Sequence, residues 1–359
     1  MINNINLDDP QVYKQYDLEG MLIRLHEMPQ LCQQAWQMAM NFNLPQDYSK
    51  VNKVVILGVG GSAIGGDLVA SLAVEAKLPI FVYRGYDLPA FIDAKTLVIA
   101  SSYSGMTEET ISSFEQAVAT EAKKLVITTG GKLKTMAEER NVPVFSFDYK
   151  AQPRAALAFS FIPILCFLQK LGFISDKSAE VAETVQVLQE LSQRINESVL
   201  LPRNSVKQLA NRLYGHLPVL YGGGIVSEVA HRWKTQLNEN SKAWAFYEVF
   251  PELNHNAVVG YQFPKELASK IMIILLRSDH LPKRIQLRYQ ITCQLLEQAK
   301  VDYQIIDGDG ISPLSQMMSL VLYGDYVSYY LAILYKIDPT PVKAIDFLKE
   351  QLAQNKGSK

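Results

Sequence analysis

The chain has 359 residues, of which 48% are hydrophobic and 20% are charged. This length favours two domains, and this composition is typical of a folded globular protein, which excludes a disordered, collagen-like or disulfide-stapled chain. Thirty-five basic residues against thirty-six acidic ones give a net charge of -1, so no broad positive field attracts nucleic acid or an anionic membrane.

A helical lead-in is predicted first, because apolar residues recur at helical spacing through residues 18–43. Five short apolar, β-branched strands are predicted next, and most of them are followed by a turn and a helix-length stretch. These predicted strands are 54–57, 80–83, 97–100, 125–128 and 144–147. This alternation predicts βαβ units that build a buried parallel sheet.

The second half of the chain repeats this plan after a helical connector over residues 155–213. Four further strands are predicted, at 218–221, 243–247, 271–276 and 303–306. The segment VLYGGG (219–224) echoes VILGVGG (55–61), with a strand, a glycine cluster and a helix in the same order. The sequence therefore predicts an α/β protein with two tandem domains, each built on a doubly wound parallel sheet.

The C-terminal segments 313–336 and 341–353 are predicted to be helical, and Pro341 is expected to start the last helix behind Thr340. The predicted division is a first domain with its lead-in (1–153), a connector (154–214) and a second domain with the C-terminal helices (215–359).

The sequence lacks membrane-spanning, signal and metal-binding patterns, and this indicates where the protein is located and in which state its cysteines are. The longest apolar run, 155–168, is interrupted and shorter than the ~20 residues that cross a bilayer. The N-terminal residues lack the features of a secretory signal, so a cytoplasmic protein is expected. Cys32, Cys166 and Cys293 are expected to be buried reduced thiols, and the five histidines show no metal-ligand spacing.

The first candidate site is the glycine loop GVGGSA (58–63), placed between a strand and a helix where an anion is well bound. It also fits the dinucleotide pattern GxGxxA. The following strand ends in Arg84 rather than in an acidic residue, which disfavours NAD and leaves an NADP site open. Tight packing of a strand against a helix is the other explanation for these glycines.

The second candidate is the hydroxyl-rich loop SSYSGMT (101–107), which follows a strand and precedes a helix. Open α/β sheets bind ligands at this edge. Helix capping or a polar turn explains one hydroxyl group, whereas the cluster suits a phosphate held by neutral donors.

Two cations and one acid/base pair complete the candidates. Arg154 starts an apolar helix, where the helix dipole disfavours a cation unless an anion or solvent compensates. Lys343 poses the same question at the last helix, where a solvated surface lysine is the simpler explanation. Glu239 and His255 lie in polar segments and could form an acid/base pair, or simply be surface residues.

In combination, five motifs resemble those of the bifunctional phosphoglucose/phosphomannose isomerases, within the sugar-isomerase (SIS) domain superfamily. They are GVGGSAIGGD (58–67), SSYSGMTEET (101–110), QPRAAL (152–157), AHRWKTQLNENSK (230–242) and ELNHN (252–256). The resemblance runs from about Val54 to Lys343.

The resemblance implies a role for each candidate residue. Gly60, Gly61 and Ser62 would line the sugar site, and Ser102, Ser104 and Thr107 would hold the phosphate. Arg154 would stabilise an enediolate, Glu239 would be the catalytic base and His255 would open the ring. Lys343 would lie near the ring oxygen or the substrate hydroxyls. The implied reaction is a metal-independent, cofactor-free aldose–ketose isomerisation in a homodimer, with His255 reaching the neighbouring subunit's site.

Two other functions are compatible with the sequence. A regulator that binds a sugar phosphate without converting it would keep the hydroxyl loop and lose the base, so the presence of Glu239 and His255 favours an enzyme. An NADP-dependent oxidoreductase rests only on GxGxxA and Arg84.

Overall fold

A computed structural model of the chain describes residues 5–355. Its first sheet is parallel and five-stranded, in the order β2-β1-β3-β4-β5. The strands are β1 (Lys53–Leu57), β2 (Ile80–Tyr83), β3 (Thr96–Ser101), β4 (Lys123–Thr128) and β5 (Val144–Ser146). All five predicted strands are confirmed, with ends that shift by no more than two residues.

Helices cover both faces of this sheet, as expected for a doubly wound fold. Along β1, Val54 and Ile56 face the main core, whereas Val55 and Leu57 face a smaller cluster that includes Phe114. The helices of this half are α1 (Pro10–Tyr16), α2 (Met21–Asn41), α3 (Gly61–Leu72), α4 (Glu108–Val118) and α5 (Gly131–Glu139).

The second sheet is parallel and four-stranded, in the order β7-β6-β8-β9. Its strands are β6 (Leu217–Gly223), β7 (Phe246–Phe250), β8 (Ile271–Arg277) and β9 (Asp302–Asp307). Three of them lie where the sequence predicts them. The fourth, β7, begins three residues later than predicted, because Lys242 is left-handed (φ 52°) and the Ala243 N–H donates to the Leu237 carbonyl at the end of a helix.

The connector consists of three helices, and five more accompany the second sheet. The connector helices are α6 (Leu157–Lys170), α7 (Ser178–Ile195) and α8 (Ser205–Leu213). The others are α9 (Ser227–Glu239), α10 (Lys265–Ala268), α11 (Lys283–Ala299), α12 (Pro313–Leu334) and α13 (Lys343–Gln354). The main hydrophobic core is continuous from Leu7 to Leu334, so it extends across the predicted domain boundaries at 153 and 214. The division into domains at these boundaries stays a prediction.

Helix α12 is the centre of this shared core. Its length and composition would let it cross a membrane, yet 94% of its most apolar 18-residue window is buried inside the protein. It packs against α7, α8 and α9. The apolar surface of this helix is therefore buried by the other helices of the protein.

The start of α13 differs from the prediction. The helix begins at Lys343 rather than Pro341, and Thr340 does not cap it. The backbone of Thr340 is engaged elsewhere, since its carbonyl accepts a hydrogen bond from Arg154 and its N–H donates to Asp338. The three cysteines are free and buried, which confirms that prediction.

Candidate active site

A cleft of about 120 Å³ lies between the first half of the chain and helix α9. Its walls come from the start of α3, from the residue after β2, from the turn before α6 and from one side of α9. The lining residues are Gly60, Gly61, Ile64, Arg84, Arg154, His231, Arg232, Thr235, Gln236 and Glu239. Four residues of the predicted site, Gly60, Gly61, Arg154 and Glu239, are thus brought together.

Arg154 is fixed at the bottom of this cleft and is only 2% exposed. Its Nε donates to Asn240 Oδ1 at 2.6 Å, and its Nη2 donates to the carbonyls of Pro339 and Thr340, both at 2.8 Å. A solvated arginine, one of the two explanations for its position in the sequence, is therefore wrong. Burial lowers the pKa of Arg154, while the nearby carboxylate of Glu239 acts in the opposite direction.

Glu239 is the last residue of α9 and is partly exposed to the cleft. Its Oε2 lies 3.4 Å from Nη1 of Arg154, a guanidinium nitrogen for which the described residues offer no other acceptor. The positive charge of Arg154 is thus compensated by a carboxylate of the protein itself, and two backbone carbonyl groups accept further hydrogen bonds from its guanidinium group. A carboxylate beside a fixed guanidinium can move a proton while the cation stabilises negative charge on a bound molecule.

The hydroxyl loop lies at the carboxyl end of β3 and leads into α4. Ser102 is buried, and its Oγ is 2.9 Å from Oγ1 of Thr107. Thr107 occupies the N-cap position of α4, but its side chain makes no capping hydrogen bond. Ser104 is exposed and accepts a hydrogen bond from the Met106 N–H. Capping therefore does not explain Thr107, and the start of this 11-residue helix is suited to an anion.

The glycine loop joins the hydroxyl loop to the cleft. Ser62 Oγ accepts a hydrogen bond of 3.1 Å from the Tyr103 N–H. Gly60 is left-handed (φ 56°) and a Cβ there would meet open space, whereas a Cβ on Gly61 would lie 3.0 Å from the Pro153 carbonyl. Close packing therefore explains Gly61, and the turn itself requires the conformational freedom of Gly60.

Of the predicted site residues, His255 and Lys343 lie neither in the lining of this cleft nor in the glycine and hydroxyl loops. His255 is exposed in a 3-10 turn (Glu252–His255) that follows β7, at the carboxyl edge of the second sheet. Glu239 ends α9 at the opposite edge, so the length of that helix, roughly 20 Å, separates them within one chain. Lys343 is exposed as the first residue of α13. It is close in sequence to Thr340, whose carbonyl binds Arg154. The residues that line the cleft nevertheless do not include Lys343.

Sequence reasoning missed the continuous polar face of α9. His231, Thr235 and Glu239 recur every four residues and all line the cleft. Arg232 and Gln236 form a second, buried row beside them. The i, i+4 spacing of polar residues that ends at Glu239 was the signal that could have revealed them.

Lys242 is another residue whose role the sequence left unassigned. Its Nζ donates to the carbonyls of Glu239, Asp338 and Pro339 at 2.8–3.0 Å. Desolvation of its ammonium group lowers its pKa to about 8, and the charge of Arg154 acts in the same direction. Together with Arg154, this lysine ties the segment 338–340 to the end of α9.

A cluster of charged residues borders the cleft at its other end. Possible ligand atoms of Asp67, Glu228 and His231 lie within 4.8 Å of one another, a grouping that the histidine spacing did not indicate. Asp67 forms an ion pair with Arg84, and His231 Nδ1 is 3.1 Å from Glu228 Oε2. Arg84, on which the NADP alternative depended, is therefore already paired.

Comparison with known proteins gives consistent matches along the chain. Residues 203–352 match the bacterial phospho-glucose isomerase C-terminal SIS domain. The bifunctional phosphoglucose/phosphomannose isomerase of Caldicellulosiruptor bescii is 44% identical over 334 residues, covering 92% of this chain and 98% of that protein. The protein of the same name from Aquifex aeolicus is 35% identical and covers 87% of this chain and 94% of its own length.

A solved structure extends the likeness to the whole fold. A hypothetical protein of Thermus thermophilus superposes with a TM-score of 0.76 at 15% identity, covering 97% of this chain and 93% of that one. At this identity the likeness concerns the fold alone. The close relatives decide the family: the chain belongs to the bifunctional phosphoglucose/phosphomannose isomerases, which are SIS-domain proteins.

Proposed function

We propose that this protein interconverts glucose 6-phosphate and mannose 6-phosphate with fructose 6-phosphate in a single site. The names of its relatives support this activity. The observation that carries it is the pair formed by Arg154 Nη1 and Glu239 Oε2, 3.4 Å apart at the cleft. A proton carrier and a charge stabiliser are the two groups that an aldose–ketose isomerisation needs.

Glu239 acts as the base of the proposed reaction. Its carboxylate takes the proton from C2 of the open-chain aldose and returns it to C1, so one group serves both steps. The intermediate is a cis-enediolate, and the negative charge on its oxygens faces Nη1 of Arg154. Because the other guanidinium nitrogens are held by Asn240, Pro339 and Thr340, this cation does not need to reorganise as the charge develops.

The phosphate group is assigned to the hydroxyl loop. Ser102, Ser104 and Thr107 supply neutral hydroxyl donors at the start of α4, whose dipole also favours an anion. The hydrogen bond from the Tyr103 N–H to Ser62 connects this loop with the glycine loop, so the sugar would extend from Ser62 past Gly60 and Gly61 toward Glu239.

Ring opening is assigned to His255 of a second subunit. Within one chain His255 and Glu239 lie at opposite edges of the second sheet, which supports a homodimer in which the histidine enters the neighbouring cleft. There it would donate a proton to the ring oxygen, a task that suits an imidazole near neutral pH. Lys343 stays a prediction for the same step.

The shared intermediate explains why two aldoses fit one site. Glucose 6-phosphate and mannose 6-phosphate differ only at C2, and this difference disappears when C2 becomes planar in the enediolate. Either epimer then gives fructose 6-phosphate, provided that the site lets the C1–C2 end turn before the proton returns.

A coupled assay that starts from fructose 6-phosphate tests this proposal. Both aldose phosphates should form, chelator should leave both rates unchanged, and an enediolate-mimicking hydroxamate should inhibit both in parallel. In D2O, solvent deuterium should enter C2 of the recovered aldoses. Binding of the sugar phosphate without turnover would identify a regulator instead, and chelator sensitivity or inhibition of only one activity would contradict the single metal-free site.

A further inference from the structure

Two residues that line the cleft each carry a buried polar atom without a hydrogen-bond partner in the protein. Among the described residues, Nε of Arg232 and Oε1 of Gln236 belong to the few buried side-chain atoms that make no hydrogen bond. Both residues line the cleft, and they are only 1% and 3% exposed. They lie one turn apart on α9, and Gln236 lies one turn before Glu239.

A third residue holds both side chains in place. Asp325 of α12 accepts a hydrogen bond of 2.6 Å from Arg232 Nη2 through one oxygen and a bond of 2.9 Å from Gln236 Nε2 through the other. Arg232 Nη2 also donates to the Arg154 carbonyl at 3.1 Å. Since both side chains are held at their far ends, neither can turn to satisfy its unpaired atom without breaking the contact with Asp325.

The unpaired atoms are chemically complementary to a hydroxyl group. Arg232 Nε–H is a donor and Gln236 Oε1 is an acceptor, and a hydroxyl group accepts one hydrogen bond while donating another. A phosphate or carboxylate oxygen would satisfy the arginine but repel Oε1. An ammonium group would satisfy Oε1 but lie against the buried guanidinium. A neutral hydroxyl satisfies both, and leaving such groups unpaired is costly.

We infer that Arg232 and Gln236 bind one hydroxyl group of the sugar chain beyond the reacting carbons, on C3 or C4, and that they are specificity-determining residues. This inference rests on the proposed isomerase function. The position of the pair supports it, since Gln236 precedes the base by one turn and Arg232 is bonded to the backbone of Arg154. An enzyme that accepts both epimers at C2 must recognise its substrate through other hydroxyl groups, and this pair supplies such a contact.

The test compares complete and deoxygenated substrates in the wild type and two variants. The test substrates are 3-deoxyglucose 6-phosphate and 4-deoxyglucose 6-phosphate. For the wild-type protein, kcat/KM on one of these two analogues should be about 10- to 100-fold lower than on glucose 6-phosphate. In Gln236→Met, and independently in Arg232→Lys, this penalty should shrink to less than about threefold for that same analogue, because the lost hydroxyl no longer leaves a partner unpaired.

The control is Gln193→Met, the same change at an exposed glutamine of α7, which should keep the full wild-type penalty. A variant that is merely distorted would lose activity on complete and deoxy substrates equally. An unchanged penalty in both variants, or no penalty in the wild type, would overturn the inference and leave a trapped water as the partner of these atoms. A wild-type protein inactive on glucose 6-phosphate itself would instead refute the proposed function.

Discussion

The guanidinium group of Arg154 and the carboxylate of Glu239 face each other across the two halves of the molecule, with 3.4 Å between Nη1 and Oε2. The arginine belongs to the turn before α6 and the glutamate to the end of α9, 85 residues later. The remaining nitrogens of the arginine bind Asn240 and two backbone carbonyls. The packing of the two halves therefore sets the distance between the charge stabiliser and the base.

Replacing Glu239 by Gln should lower kcat by about 10²- to 10⁴-fold, because the amide cannot carry the proton between C1 and C2. Arg154 keeps its other three hydrogen bonds, so the fold and KM should change little. Steady-state kinetics on fructose 6-phosphate measure both constants. Glu115→Gln, an exposed position of α4, is the control, and near-normal turnover of Glu239→Gln would remove Glu239 from the role of base.

Replacing Arg154 by Lys should reduce both isomerase activities in parallel by about 10²- to 10³-fold. An ammonium group keeps the charge but cannot reach Asn240, Pro339, Thr340 and Glu239 in one fixed plane. The rates of glucose 6-phosphate and mannose 6-phosphate formation should be measured from the same preparation. A loss confined to one product would mean that the two reactions do not share this cation.

Replacing Thr107 by Ala should raise KM by about 3- to 10-fold and leave kcat nearly unchanged, because one hydrogen bond to a phosphate is lost in ground state and transition state alike. Ser104→Ala should act in the same direction. Ser112→Ala, on α4 but beyond its first turn, serves as the matched control. A selective loss of kcat would place this loop at the reacting carbons rather than at the phosphate.

The origin of His255 can be tested by mixing subunits. Glu239→Gln and His255→Ala should each be nearly inactive as pure proteins. Co-expressed in equal amounts, they should recover about a quarter of the wild-type activity, since half of the dimers are mixed and each mixed dimer has one intact site. Absence of recovery in verified mixed dimers would place the functional histidine within the same chain as Glu239.

The lowered pKa of Lys242, about 8, predicts a pH-dependent contribution to stability. In the unfolded chain a lysine has its ordinary pKa of about 10.4, so the unfolded state binds more protons between these two values. The contribution of Lys242 to the free energy of unfolding should therefore rise as the pH increases from about 8 to about 10. Urea unfolding of the wild type and Lys242→Met should show a difference that grows in favour of the wild type, and a constant difference would contradict the lowered pKa.

Local sequence determined most of the secondary structure. The short β-branched runs between helix-length segments favour buried parallel strands, and all five strands of the first sheet and three of the second lie where predicted. The hydroxyl cluster before a helix stood out by its local pattern, whereas Glu239 was singled out only by the resemblance to a known family.

Tertiary structure decided the rest, because it depends on contacts between residues distant in the chain. The start of α13 moved from Pro341 to Lys343 because Arg154 holds the Thr340 carbonyl. The unpaired atoms of Arg232 and Gln236 exist only because Asp325, about 90 residues further along, fixes both side chains. No local pattern encodes such distances, which arise when the two halves pack around one continuous core.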